Sequence, residues 1–160
     1  PGGFYLPNGA RQGTFNTPSG KAHFSVNALP AQDLEEGQYT MMTVRSHDQY
    51  NTTIYGLDDR YRGIYNERRV VLMNRDDMAG AGLQAGDVVD LVGEHRGTVR
   101  VAKRFIVVPY AIPPRCVATY FPEANVLVPI DSYARGSKTP TSKNIPVRIR
   151  PSTANGTANL

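Results

Sequence analysis

The densest run of chemically able side chains follows Val44. Arg45-Ser46-His47-Asp48-Gln49-Tyr50-Asn51-Thr52-Thr53 offers a donor or an acceptor at every position. Arg45 carries a forked cation that suits phosphate, and the hydroxyls of Ser46, Thr52 and Thr53 add short-range donors. Gln49 and Asn51 present amides able to match the edge of a heterocycle, and Tyr50 can lie flat against a ring. A polar run leaving a strand is where a scaffold presents binding groups; an ordinary solvated loop is the plain alternative. His47-Asp48 has no serine or cysteine nucleophile motif to go with it. His23, His47 and His95 lack the spacing of zinc ligands. The residues therefore read as a binding site, with no catalytic residue and no metal ligand assigned.

The elements that must carry this run are mostly strands. Tyr39 to Val44 is β-branched, aromatic or Met at every position, the composition of a half-buried strand. Arg69 to Met73 is a short apolar run, a second strand. Asn74 can cap a helix of about two turns, with Asp76 and Asp77 in its first turn and Gly82 at its close. The turn at 84–87 leads into a strand at Val88 to Val92. Glu94 to Arg96, closed by Gly97, makes a hairpin connection to Thr98–Lys103, and Phe105 to Val108 continues as a buried run. Ile145, Val147 and Ile149 alternate with Arg148 and Arg150, the period of a final strand that Pro151 ends. A helix between two strands allows a parallel pair inside a mixed sheet. Many short strands, few helices and long loops favour a closed β-barrel over a sandwich.

Residues 1–37 hold many Gly, Pro, Asn and Ser without a sustained period. They read as an irregular lead-in from a preceding domain, with a turn at Thr17–Lys21, an extended piece near Ala22–Val26 and a helical turn over 31–36. The barrel domain spans 38–151, and 152–160 is a polar tail expected to be disordered. The opening Pro1-Gly2-Gly3, in place of a methionine or a leader, is expected of a piece of a longer or processed polypeptide.

Composition narrows the classes. The 160 residues are 40% hydrophobic and 9% aromatic, enough for one domain with a real core. No stretch reaches the apolar length of a membrane helix. A single cysteine, Cys116, excludes an internal disulfide and a cysteine-held iron–sulfur centre; a small buried thiol is its expected role. The net charge of +4 is unevenly placed. Residues 40–75 hold six basic and four acidic side chains, and 126–160 hold five and one. Between them 76–100 holds two basic and five acidic. If the two basic regions meet, they form a surface for a polyanion.

Several stretches in order carry a family resemblance. Residues 69–91 follow the scheme strand, N-x-x-D-A helix, G-D-x-V, strand, as Asn74-Arg75-Asp76-Asp77 and Gly86-Asp87-Val88-Val89. Thr43 to Thr52 is similar to a T-x-R-x-x-x-H-aromatic-x-[ST] loop, with Arg45, Tyr50 and Thr52 in place and Gln49 where many members have His. Asn125 and Leu127 fit x-x-N-x-L, and Lys138, Pro140 and Lys143 fit x-K-x-P-x-aromatic-K, with Ser142 replacing the aromatic. Phe15-Asn16-Thr17-Pro18-Ser19-Gly20-Lys21 resembles the segment preceding this domain in formate-dehydrogenase-like chains. Together, over residues 15–151, these resemble the C-terminal molybdopterin guanine dinucleotide-binding domain of molybdopterin oxidoreductases, which include formate dehydrogenases, periplasmic nitrate reductases and dimethyl sulfoxide reductases. Gln49 points to the formate-dehydrogenase-like, YdeP-type branch.

The resemblance implies a double-psi β-barrel of about six strands with one or two short helices and long loops. It implies a module that holds and orients molybdopterin guanine dinucleotide, in a bis form with molybdenum or tungsten, while redox chemistry occurs at a metal bound by upstream domains. This piece alone is then not catalytic. Arg45, Ser46, Gln49, Tyr50, Asn51, Thr52, Asn125, Lys138 and Lys143 become the cofactor-binding candidates. A barrel sealed by its last strand should bring Lys138 and Lys143 back to the Arg45 loop. Taken singly, Asn125 reads equally as a turn residue and the two lysines as solvated charges. The implied partners are upstream domains of the same polypeptide and an electron-transfer subunit, with no nucleic acid, no membrane segment and a cytoplasmic location. The rival is a non-catalytic basic barrel that binds a protein or nucleic acid, against which stand the lack of stacking motifs and the acidic middle of the chain.

Overall fold

A computed structural model describes residues 2–29, 33–47, 49 and 56–153. The chain divides into two units, Pro1–Asp33 and Leu34–Leu160. The first has a single 3-10 turn, Ala10–Gln12, and no buried side chain among its described residues. The expected turn is present there: Gly20, at φ 64°, donates its N–H to the Thr17 carbonyl at 3.0 Å. The helical turn expected over 31–36 begins outside the described residues, as do 154–160 of the tail.

The second unit is a closed six-stranded barrel. Its strands are β1 (Gln38–Val44), β2 (Val70–Met73), β3 (Val88–His95), β4 (Thr98–Pro109), β5 (Cys116–Tyr120) and β6 (Ile145–Pro151), ordered β1-β5-β2-β4-β3-β6 around the wall. This is the β-barrel class expected, with two parallel pairs, β1 with β5 and β2 with β4. The chain from β2 through α1 (Arg75–Gly80) leads to β3, but β4 lies between those two strands. The parallel partner of β2 is therefore β4, a strand farther along the chain.

Strand β2 is buried at all four positions because it is covered on both faces. Successive side chains point to opposite sides, so Val71 and Met73 join the cluster inside the barrel with Leu91, Phe105 and Val147. Val70 and Leu72 face outward into a second cluster with Ile64, Ala118 and Tyr120. Ile64 comes from the tyrosine-rich excursion after the polar run, which pairs with itself at Asp59 and Ile64 and so lies over the outer wall.

Local chemistry sets the boundaries. The Asn74 side chain caps α1 by accepting from the Asp76 N–H at 2.8 Å, and Gly82, at φ 67°, lets the chain turn away after it. The β3–β4 hairpin turns on Arg96 and Gly97, at φ 50° and 74°, a tight pair with left-handed backbone, so β3 extends to His95. Arg104, at φ 61°, bulges β4 where the ladder to β3 shifts register. Cys116 is half-buried at the start of β5.

Candidate functional site: a cationic rim

Strand directions bring four chain segments to one end of the barrel. Val44 faces Tyr120 across a parallel pair, so β1 and β5 both leave there. Val71 faces Thr119 and Met41 faces Ile145 across antiparallel pairs, so β2 and β6 both enter there. The polar run after β1, the excursion before β2, the turn after β5 and the connection before β6 thus share a rim. Helix α1 and the Gly86-Asp87 turn lie at the other end, since Met73 pairs with Val117 and Val89 with Pro151.

The rim joins residues far apart in sequence. The Thr43 N–H donates to the Ser142 carbonyl at 3.0 Å. The Lys143 ammonium donates to the Thr43 carbonyl and, at 3.3 Å, to the Thr43 hydroxyl. Arg45 is exposed, and its guanidinium makes no hydrogen bond or ion pair among the described residues. Burial, and then the positive charge of Arg45, push the Lys143 ammonium below its ordinary pKa. Two cations thus stand close together with no described carboxylate paired to either. That arrangement is unfavourable until an anion enters it.

The remaining candidates fall into three groups. Ser46 and Gln49 are buried and bonded to each other: Gln49 Oε1 accepts from the Ser46 N–H at 3.3 Å and from its hydroxyl at 3.4 Å. The Gln49 carbonyl is therefore engaged within its own loop. Asn125 is exposed at the start of a 3-10 turn, Asn125–Leu127, where its N–H donates to the Pro122 carbonyl at 2.8 Å. Lys138 is exposed, with its ammonium 4.6 Å from the centre of the Tyr133 ring in its own connection. Tyr50, Asn51 and Thr52 lie outside the described residues.

Beneath the exposed groups lie buried polar residues that the sequence reading did not single out. Arg68, 6% exposed, donates to both Glu123 carboxylate oxygens at 2.6 and 3.2 Å and to Ser46 Oγ at 2.9 Å. It also reaches the carbonyls of Gly56 and Phe121, and its guanidinium lies 4.9 Å from the centre of the Tyr120 ring. Asp59, 1% exposed, accepts from the Tyr120 hydroxyl at 2.7 Å and from Arg62 at 2.5 Å. Arg62 in turn donates to the Arg45 carbonyl at 3.1 Å. Burial raises the Asp59 pKa, but the hydrogen bonds from Tyr120 and Arg62 and the Arg62 charge outweigh it and leave the carboxyl below its usual range. Burial and the bond to Asp59 push the Tyr120 phenol up. The single signal for these partners is an Arg-Arg pair preceding an apolar run, which by itself names no contact.

His47 does not join a catalytic set among the described residues: its ring meets Arg60 at 2.5 Å and stacks edge-on to Tyr61. No group of described His, Cys, Asp or Glu residues is arranged to hold a metal ion. No described helix is long and apolar enough to cross a membrane.

Comparison with known proteins identifies the family. Residues 39–146 match the molydopterin dinucleotide binding domain. An uncharacterized oxidoreductase of Mycobacterium tuberculosis is 51% identical over 157 residues, covering 94% of this chain and 20% of the relative. The corresponding Mycobacterium bovis protein is equally similar. The YdeP protein of Escherichia coli K12 is 40% identical over 158 residues, covering 95% of this chain and 21% of the relative. The chain thus spans about a fifth of the length of these relatives.

Proposed function

The chain belongs to the molydopterin dinucleotide binding domain family, and we propose that it is the cofactor-holding barrel of a formate-dehydrogenase-like oxidoreductase. The cofactor is molybdopterin guanine dinucleotide. The observation that carries the proposal is the juxtaposition of Arg45 and Lys143, brought together across the closed barrel and left without a described counter-ion.

The donors present fit such a group. A pyrophosphate needs cations and hydroxyl or N–H donors, and the rim supplies a forked cation at Arg45 and a point charge at Lys143. An anion between them replaces the mutual repulsion of the cations with two charge-assisted hydrogen bonds. Asn125 presents an exposed amide on the same rim for the edge of a heterocycle. Ser46 and Gln49 act from beneath, with their polar atoms turned to each other and to Arg68. Lys138 adds positive charge in the connection before β6. Bound, the cofactor supplies a redox-active molybdenum or tungsten centre. The residues of this chain bind and orient.

Preceding domains of the same polypeptide and an electron-transfer subunit complete the reading. They are supported by the oxidoreductase name and greater length of the relatives. The lone cysteine suits a reducing compartment, and a cytoplasmic place goes with it. The test is Arg45→Ala in the polypeptide that contains this barrel, measuring metal and guanine nucleotide per chain after purification. The expected result is a loss of cofactor with thermal stability kept. Full occupancy in the variant would remove Arg45 from the site.

A further inference from the structure

We propose that Arg68 is the positioning residue of the cofactor rim, holding the chain next to Arg45 and the turn that presents Asn125 at a fixed separation. The inference rests on the cofactor-rim reading for its ligand and on geometry alone for its structural part.

The geometry is that of a hub. Arg68 is buried at the entry to β2 and uses all three guanidinium nitrogens. One nitrogen donates to Ser46, the neighbour of Arg45, and to the carbonyl of Gly56. The others grip Glu123, two residues before Asn125, and the carbonyl of Phe121. Phe121 itself donates its N–H to the Val44 carbonyl at 3.1 Å, so the exits of β1 and β5 are tied both directly and through Arg68. No other described side chain bonds to both the polar run after β1 and the turn after β5.

Its chemistry suits positioning and not contact. The guanidinium is enclosed and matched by the Glu123 carboxylate, whereas that of Arg45 is exposed and has no carboxylate partner among the described residues. A rigid fork with several fixed donors can hold acceptors on separate segments at set angles; the single rotatable ammonium of lysine cannot. The Ser46 hydroxyl, held by Arg68, in turn donates to Gln49. The same side chain therefore orders the inner part of the loop.

The test uses Arg68→Lys, which keeps the charge beside Glu123, with Glu123→Gln as a milder second variant. Arg150→Gln, an exposed partner of Asp90 on β6, is the control for loss of an ion pair. Two measurements are made on the chain. The first is the Lys143 titration, followed by side-chain NMR without ligand. The second is the binding of guanosine diphosphate, which carries a guanine and a pyrophosphate. If Arg68 positions the rim, Arg68→Lys shifts the Lys143 titration upward as Arg45 loses its fixed place, and guanosine diphosphate binds about tenfold more weakly. Glu123→Gln moves both in the same direction by less, and Arg150→Gln moves neither.

An unchanged Lys143 titration in a folded Arg68→Lys chain would overturn the proposal, as would lowered stability with unaltered nucleotide binding. Should the unsubstituted chain fail to bind guanosine diphosphate while the titration still shifts, the ligand reading fails and the positioning role stands.

Discussion

The Lys143 ammonium donates to the carbonyl and hydroxyl oxygens of Thr43, one hundred residues earlier in the chain and two before Arg45. The contact exists because β6 closes the barrel against β1 in an antiparallel register. It makes one rim of two segments that the sequence keeps apart, and it places the positive charge of Lys143 in the field of Arg45.

Lys143→Met should separate binding from folding. It removes two hydrogen bonds but also relieves a partly buried cation that stands against another, so thermal stability should change by no more than about 1 kcal/mol. Guanosine diphosphate affinity should fall about tenfold, the loss of one charge-assisted contact. Calorimetric titration beside thermal melting checks both, and an unfolded variant would show the lysine to be structural.

The lowered Lys143 pKa also has a consequence at alkaline pH. The folded chain holds this proton less tightly than the unfolded chain, so the penalty is fully present while both forms are protonated. It is relieved as the pH rises from the folded value toward 10.5, and this group adds stability across that window. Denaturant melts of the parent and of Lys143→Met should therefore converge on raising the pH. Nucleotide binding should weaken over the same window, because the neutral amine no longer attracts the phosphate.

Asp59 acts at the acid end. Its folded pKa lies below the ordinary 3.8, so the stability it confers is present above that value and is lost as the pH falls through the lower folded one. Tyr120→Phe removes the first of its hydrogen-bond donors and should cost about 1–3 kcal/mol at neutral pH. Acid melts should show the variant unfolding at a higher pH than the parent. An identical acid midpoint would show that the Tyr120–Asp59 bond contributes nothing.

Asn74→Ala tests the other end of the barrel. It removes the cap of α1 and the bond from the Asn74 amide to the Ile112 carbonyl, together about 1–2 kcal/mol. Because α1 lies away from the rim, nucleotide affinity in the folded variant should be unchanged when measured well below the melting temperature. A weakened affinity would place the cofactor at this end instead.

Strands whose residues alternate or run apolar were legible in the sequence: β1, β2 and β6 stand where their composition placed them. So was the capped helix, because Asn74, the two aspartates and Gly82 each act locally. Strand β5 was not singled out. Cys116-Val117-Ala118-Thr119-Tyr120 has neither a clear alternation nor strong strand formers throughout, and its place is set by the neighbours β1 and β2. The pairing of β2 with β4 was equally hidden: β2 and β3, joined through α1, run in opposite directions with β4 between them, so the helix does not mark the parallel pair.

For the rim, residue type announced Arg45 and Lys143, and closure of the barrel brought them together. Arg68, Asp59 and Glu123 could not be read this way. A buried ion pair is recognised by what surrounds it, and Arg68 and Glu123 are separated by four strands of sequence. Gln49 shows the converse. Its amide looked suited to a heterocycle, yet its carbonyl is turned to Ser46.

The most direct test of the rim is an NMR titration of the chain with guanosine diphosphate, following backbone amides together with the Arg45 and Lys143 side chains. The expected result is saturable shifts at Arg45, Ser46 and Lys143, with the Lys143 pKa rising as phosphate fills the space between the cations. Shifts confined to the separate basic cluster of Arg69, Lys103 and Arg104, or no shifts at all, would contradict it.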